Sequence, residues 1–152
     1  MRVLVAERKG AIDVRKGRTP FDEALKQGTI FILITPLDAS TRDTIAAQEL
    51  ETMDPTAFII NVGRGGVVNE RDLIHALRAG KIGGAATDVF EREPASKDNS
   101  PLLDPSIPNL IVSPHIAWYS SKTVKGTYQT VKSNIEGFVA GNPQNVVIAG
   151  KV

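Results

Sequence analysis

The chain contains no cysteine, which excludes disulfides, thiolate metal sites and cysteine nucleophiles. Histidine is scarce: only His75 and His115 are present, so imidazole chemistry has two candidates. Neither charge sign dominates, with 18 Lys and Arg against 17 Asp and Glu. A net charge of +1 leaves no electrostatic footprint for a nucleic acid. No apolar run approaches the roughly 20 residues that span a bilayer. The N-terminus lacks the basic-then-apolar pattern of a signal peptide. What is present, 41% hydrophobic and 23% charged residues over a length of 152, predicts a soluble cytoplasmic α/β domain with a core of its own.

The apolar segments set out its order. Arg2–Ala6 reads as a buried strand that ends in charge at Glu7-Arg8-Lys9. Thr19-Pro20-Phe21-Asp22 reads as a helix start, with Thr19 as N-cap, Pro20 in the first helical position and Asp22 as return partner. Thr29–Ile34, Ala57–Val62, Gly84–Phe90 and Leu110–Ser113 read as further buried strands. Ile45–Met53 reads as a short helix. Asn69 caps another, with Asp72 three residues on, inner residues Leu73, Ile74 and Leu77, and a stop at Gly80. Ser120 caps a last helix whose Val124, Tyr128, Val131, Ile135 and Phe138 fall on one face, predicted to be buried. Strands alternating with helices predict a parallel sheet covered on both faces.

Ligands of such sheets sit beyond the carboxyl ends of the strands. Those ends carry Glu7, Thr35-Pro36, Gly63-Arg64-Gly65-Gly66, Asp88 to Glu93, and His115. Singly, each has an ordinary explanation as a surface charge or a satisfied polar group, and His75, inside a helix, reads as structural or surface. Together they define a chemistry. A carboxylate beside an imidazole orients it and stabilises its charged form, a pairing open to Glu93 and His115. The guanidinium of Arg64 is a planar fork that matches a substrate carboxylate, and its glycine neighbours allow close backbone approach. Such a set binds a 2-oxo acid and protonates its ketone oxygen. Glu7 is placed to hold ribose hydroxyls of an adenine dinucleotide, and Asp88 to meet a nicotinamide carboxamide. Gly63-Arg64-Gly65-Gly66-Val67-Val68 only imitates the start of G-x-G-x-x-G, because Val68 stands at the last glycine.

Three blocks in order, INVGRGGVVNERDLIHAL, GGAATDVFEREP and NLIVSPHIAW, resemble signature blocks of the D-isomer-specific 2-hydroxyacid dehydrogenases. VLVAERKG and HIAW look closest to the glycerate dehydrogenase (hydroxypyruvate and glyoxylate reductase) branch. The resemblance implies that Arg64 binds substrate, that Glu93 pairs with His115, and that His115 is the acid/base. It implies NAD as cofactor, lined by Glu7, Thr35, Pro36, Val62, Gly63, Arg64, Asp88 and His115. Glu7 favours NAD by repelling a 2′-phosphate, while Arg8 and Lys9 beside it leave NADP open. The implied partners are a small 2-oxo or 2-hydroxy acid and a second copy in a homodimer, with no metal, nucleic acid or membrane.

The resemblance also implies a departure. A full-length relative is about twice as long, with two domains. This chain is expected to be α/β, a partial Rossmann-like doubly wound parallel sheet that lacks its first strand and glycine-rich turn. Residues 1–142 are expected to be the partial NAD-binding domain, from the second strand onward, and 143–152 a tail that docks elsewhere. Without the turn and helix N-terminus that cradle a pyrophosphate, the polypeptide alone is expected to bind NADH poorly. A non-catalytic dinucleotide-sensing or scaffold module, and an inactive truncation product, stand as alternatives.

Overall fold

The structure, a computed structural model, describes residues 2–147. The last five residues of the expected tail lie outside the described residues. The chain divides into two units, one ending at His115 and one beginning at Ile116.

The first unit is built on four parallel strands: β1 (Ile30–Leu33), β2 (Phe58–Asn61), β3 (Gly84–Thr87) and β4 (Leu110–Val112). They lie in the spatial order β1-β2-β3-β4. Register aligns Phe31, Ile59, Ala85 and Leu110 across the sheet, and one step on Ile32, Ile60, Ala86 and Ile111. Neighbours in register share a face, and the face alternates along each strand. The Phe31–Ile59–Ala85–Leu110 row packs into one hydrophobic cluster with Leu50 of α2 (Ala47–Thr52), Leu73 and Leu77 of α3 (Glu70–Arg78), and Leu102 of a 3-10 turn (Pro101–Leu103). The other face is open: Ile30, Ile32, Phe58 and Ile111 are exposed.

That open face corrects the expected sheet covered on both sides, and strand order gives the reason. Crossovers between parallel strands are right-handed almost without exception. Four strands laid down in one direction therefore carry their connecting helices on one face. Covering the second face requires a reversal of strand order, and β1 to β4 contain none.

The expected first strand also needs correction. Among the described residues Arg2–Ala6 joins no sheet, and its one ladder contact there is a parallel bridge, Ala6 to Thr19. Val3 and Val5 are exposed. Among the described residues no strand lies on the other side of this apolar run, so its alternation buries nothing there. The same bridge moves the start of α1 (Phe21–Gln27). Thr19 donates its backbone N–H to the Val5 carbonyl (2.9 Å) and accepts from the Glu7 N–H (2.8 Å). Its backbone thus belongs to the bridge, and Pro20, with no capping side chain, takes the cap position.

Other expectations agree closely. The side chain of Asn69 accepts from the Asp72 N–H at 3.1 Å and begins α3. Leu73, Ile74 and Leu77 are buried along it, and Gly80, with φ of 64°, lies just beyond its end. The expected strands appear with trimmed ends, and the helix expected over Ile45–Met53 as α2. In the second unit α4 (Ser121–Val139) starts where Ser120 accepts from the Thr123 N–H at 3.1 Å. No residue of α4 is buried, and Phe138 on its apolar stripe is 77% exposed. The helical period was correct and the inferred burial was not, because a stripe is buried only by an apolar surface laid against it.

The two faces of the sheet should differ sharply on truncation. Ile59→Ala, in the core, is expected to cost about 3 kcal/mol, and Ile32→Ala, on the open face, less than about 1 kcal/mol. Urea denaturation of both variants measures the contrast.

Candidate active site

The strand ends deliver side chains to one edge of the sheet, but hydrogen bonds and close packing hold them there. Asn61, the last residue of β2, is buried. Its side-chain oxygen accepts from the Gly63 N–H (3.1 Å) and its amide donates to the Arg64 carbonyl (3.1 Å). The loop that carries Arg64 is thereby folded back on its own strand.

The glycines flanking Arg64 have a packing task that the sequence did not show. They admit the backbone of neighbouring loops. A Cβ on Gly63 would stand 2.8 Å from the Thr35 carbonyl oxygen, and one on Gly65 only 1.8 Å from the Phe90 carbonyl oxygen. Backbone from the loops after β1, β2 and β3 is therefore in direct contact, and Arg64 is fixed between two such contacts. Its guanidinium donates to the Gly63 carbonyl at 2.7 Å, and the residue remains exposed.

The loop after β3 is anchored from below by Glu70, the first residue of α3. Its buried carboxylate accepts from the Glu91 N–H at 2.7 Å and from the Ser100 hydroxyl at 3.0 Å. Sequence reasoning missed Glu70. It sits right after the Asn69 cap, where an acid ordinarily complements the helix dipole in water. Nothing local marks it as buried. Asn61 was likewise read only as one residue of the buried strand Ala57–Val62.

Between these anchors Glu93 and His115 meet. The Nδ1 atom of His115 lies 2.6 Å from Glu93 Oε2. Glu93 Oε1 accepts from the Phe90 N–H at 2.9 Å. Burial raises the Glu93 carboxyl, but the His115 hydrogen bond, the Phe90 N–H and the charges of His115 and Arg64 together leave it below its usual range. An ionised carboxylate only accepts, so it places a proton on Nδ1 and sets the orientation of the ring. His115 also holds a left-handed backbone, φ of 55°, with its N–H on the Ser113 carbonyl (3.0 Å). Strained backbone of this kind persists only where surrounding contacts enforce it.

Among the expected cofactor residues, Asp88 is buried and accepts from the Ser113 hydroxyl at 2.5 Å, which ties the ends of β3 and β4 together. Thr35, Pro36 and Val62 are exposed at the carboxyl ends of β1 and β2. Exposed apolar groups beside polar ones at that position fit a flat, partly apolar ligand group. Glu7 does not offer the open carboxylate that was expected. It is buried, and its donors are the backbone of Arg8 and the backbone and guanidinium of Arg15.

The Glu93–His115 pair has a definite acid signature. The folded carboxyl lies below its ordinary 4.5, so the stability it adds is complete above that value and declines as pH falls through the lower folded value. Glu93→Gln should therefore lower the urea midpoint at pH 7, and the gap from the parent should close below pH 4.5. Gly65→Ala should lower the melting temperature and shift the His115 ring resonances, because the Phe90 carbonyl must move to admit the methyl group.

Comparison with known proteins gives the family. Residues 1–117 match the family described as D-isomer specific 2-hydroxyacid dehydrogenase, NAD binding domain. A glycerate dehydrogenase of Methylorubrum extorquens is 43% identical over 141 residues, covering 91% of this chain and 45% of that protein. The crystal structure of an NADPH-dependent glyoxylate/hydroxypyruvate reductase from Sinorhizobium meliloti, with NADP and sulfate, superposes with a TM-score of 0.70. It is 31% identical, with 91% of this chain and 46% of that one covered. The NAD complex of a D-isomer specific 2-hydroxyacid dehydrogenase from Lactobacillus delbrueckii ssp. bulgaricus gives a TM-score of 0.74 at 26% identity, covering 91% and 47%. The chain thus spans about half the length of the relatives it matches. On its sequence blocks, its parallel sheet and this match, the chain belongs to the D-isomer-specific 2-hydroxyacid dehydrogenase family and carries sequence of its NAD-binding domain.

Proposed function

We propose that this chain is the acid/base-bearing part of an oxidoreductase that interconverts a small D-2-hydroxy acid and its 2-oxo acid, of the glycerate/hydroxypyruvate or glycolate/glyoxylate kind. The observation that carries the reading is the 2.6 Å pairing of His115 Nδ1 with Glu93, beside the cation Arg64. A nicotinamide cofactor, held by Asp88, Thr35, Pro36, Val62 and Gly63, would supply the hydride that the carbonyl carbon accepts. The Nε2 atom of His115 gives the proton to the carbonyl oxygen, so the C=O bond becomes CH–OH. Glu93 holds the ring and balances its charge while that proton is present. Arg64 takes the substrate carboxylate and stabilises the negative charge that grows on the oxygen. In the reverse direction Nε2 receives the hydroxyl proton.

Residues 1–142 are assigned to the cofactor domain, with 143–152 as a tail. Asp88, Thr35, Pro36, Val62 and Gly63 are assigned to the cofactor's nicotinamide side. The proposal includes a homodimer and a cytoplasmic location, which light scattering and cell fractionation test. Among the described residues no helix is long and apolar enough to cross a membrane.

The sequence contains no G-x-G-x-x-G, so the 152-residue chain alone should oxidise NADH with hydroxypyruvate slowly or undetectably. The substrate site is therefore tested by binding. Titration with oxamate, an unreactive 2-oxo acid mimic, should shift the His115 ring resonances. Arg64→Gln should weaken that binding about tenfold, the order expected for a lost charge-assisted pair. No response of His115 to oxamate would overturn the reading. Any NADH oxidation observed should vanish in His115→Ala, and equal turnover by both proteins would also count against it.

A further inference from the structure

The loop of residues 7–18, ERKGAIDVRKGR, is closed at its base by the Ala6–Thr19 bridge. Two short parallel segments meeting there, ahead of β1, match the outer strands of a dinucleotide fold's first half, where an acid after the second strand ordinarily receives the adenosine ribose. The acid in that place is Glu7. An ionised carboxylate has about four lone-pair positions with which to accept hydrogen bonds. At Glu7 four donors use them. The Arg8 N–H (2.8 Å) and the terminal NH2 of Arg15 reach Oε1. The Arg15 N–H (3.2 Å) and Nε (2.8 Å) reach Oε2. The Arg18 guanidinium stands 3.9 Å away. A ribose diol would need two acceptor positions on this carboxylate, and they are taken.

What the loop presents instead is positive. It holds five cations, Arg8, Lys9, Arg15, Lys16 and Arg18, against two acids, Glu7 and Asp13. Lys9 is drawn off to Glu49 at 2.9 Å, and Arg15 is balanced by Glu7. Arg8, Lys16 and Arg18 leave an excess of positive charge facing a single remaining acid. The Arg15 side chain is still half exposed, so part of its guanidinium fork is accessible beside them. Planar guanidinium groups around a neutralised carboxylate suit a phosphate far better than a hydroxyl pair.

We propose that this loop selects a dinucleotide whose adenosine ribose carries a 2′-phosphate, so that the chain prefers NADP(H) to NAD(H), with Arg15 as the residue that decides it. Arg15 acts twice: it removes Glu7 as a ribose acceptor, and it neutralises the carboxylate that would repel a phosphate beside Arg8 and Arg18. The inference rests on the proposed reading of the chain as part of a cofactor-binding dehydrogenase.

The test is an NMR titration of the purified chain with 2′,5′-ADP and, separately, 5′-AMP. The first should bind about tenfold more tightly, with the gap narrowing as salt is raised. Arg15→Ala should uncover Glu7 and turn the preference toward 5′-AMP. Should that variant unfold, Arg8→Ala keeps the Arg8 N–H bond to Glu7 and should weaken only 2′,5′-ADP, several-fold. Equal or tighter binding of 5′-AMP by the parent chain would overturn the inference and leave the dehydrogenase reading intact. Displacement of 2′,5′-ADP by equimolar inorganic phosphate would mark a general anion site and overturn it as well. No response to either nucleotide would remove the cofactor reading on which the inference stands.

Discussion

Backbone-to-backbone contact at the carboxyl end of the sheet is the constraint on which the site depends. A side chain at position 65 would sit 1.8 Å from the Phe90 carbonyl oxygen, so the loops after β2 and β3 touch main chain to main chain. No flexible side chain separates them and takes up movement. Arg64 belongs to one of these loops and Glu93 to the other, and His115 follows the next strand. Their mutual placement is inherited from a contact that has no adjustable part. This is how a fold holds charged groups in fixed mutual positions with little freedom left to lose.

Two buried polar groups convert that contact into a fixed geometry. Asn61 pins the Arg64 loop to its strand, and Glu70 pins Glu91 and Ser100 to the start of α3. Both are satisfied, as buried polar groups must be. A buried carboxylate with neutral donors is costly to hold, and its retention beneath the site fits a positioning role better than a gain in stability. The layout therefore has two layers. Arg64, Glu93 and His115 are partly exposed, while Asn61 and Glu70, which hold their loops, are buried.

The open face of the sheet and the exposed stripe of α4 follow one rule. Strands placed in sequence order, joined by right-handed crossovers, put their helices on a single side. The apolar residues Ile30, Ile32, Phe58 and Ile111 are sequence features of a sheet buried on both faces, yet only one face is covered among the described residues. A periodic apolar pattern states what a segment is suited to pack against. It does not state that the partner is present.

The sequence by itself determined the parallel α/β class, the caps Asn69 and Ser120, the inner face of α3 and the ordered blocks that hold Arg64, Glu93 and His115. Each rests on local chemistry: a cap needs only its own backbone a few residues on, and strand ends in a parallel sheet gather at one edge. Tertiary structure alone decided the rest. It left Arg2–Ala6 without a ladder, because a strand exists only beside another strand. It spent the Glu7 carboxylate on Arg15, eight residues away, where the local reading saw an acid open to ribose. It turned the glycines around Arg64 toward neighbouring backbone and buried Glu70 under a loop 21 to 30 residues distant in sequence. Local preference can be read from residue types in order, whereas the occupancy of a donor or acceptor depends on what the fold brings to it from elsewhere in the chain.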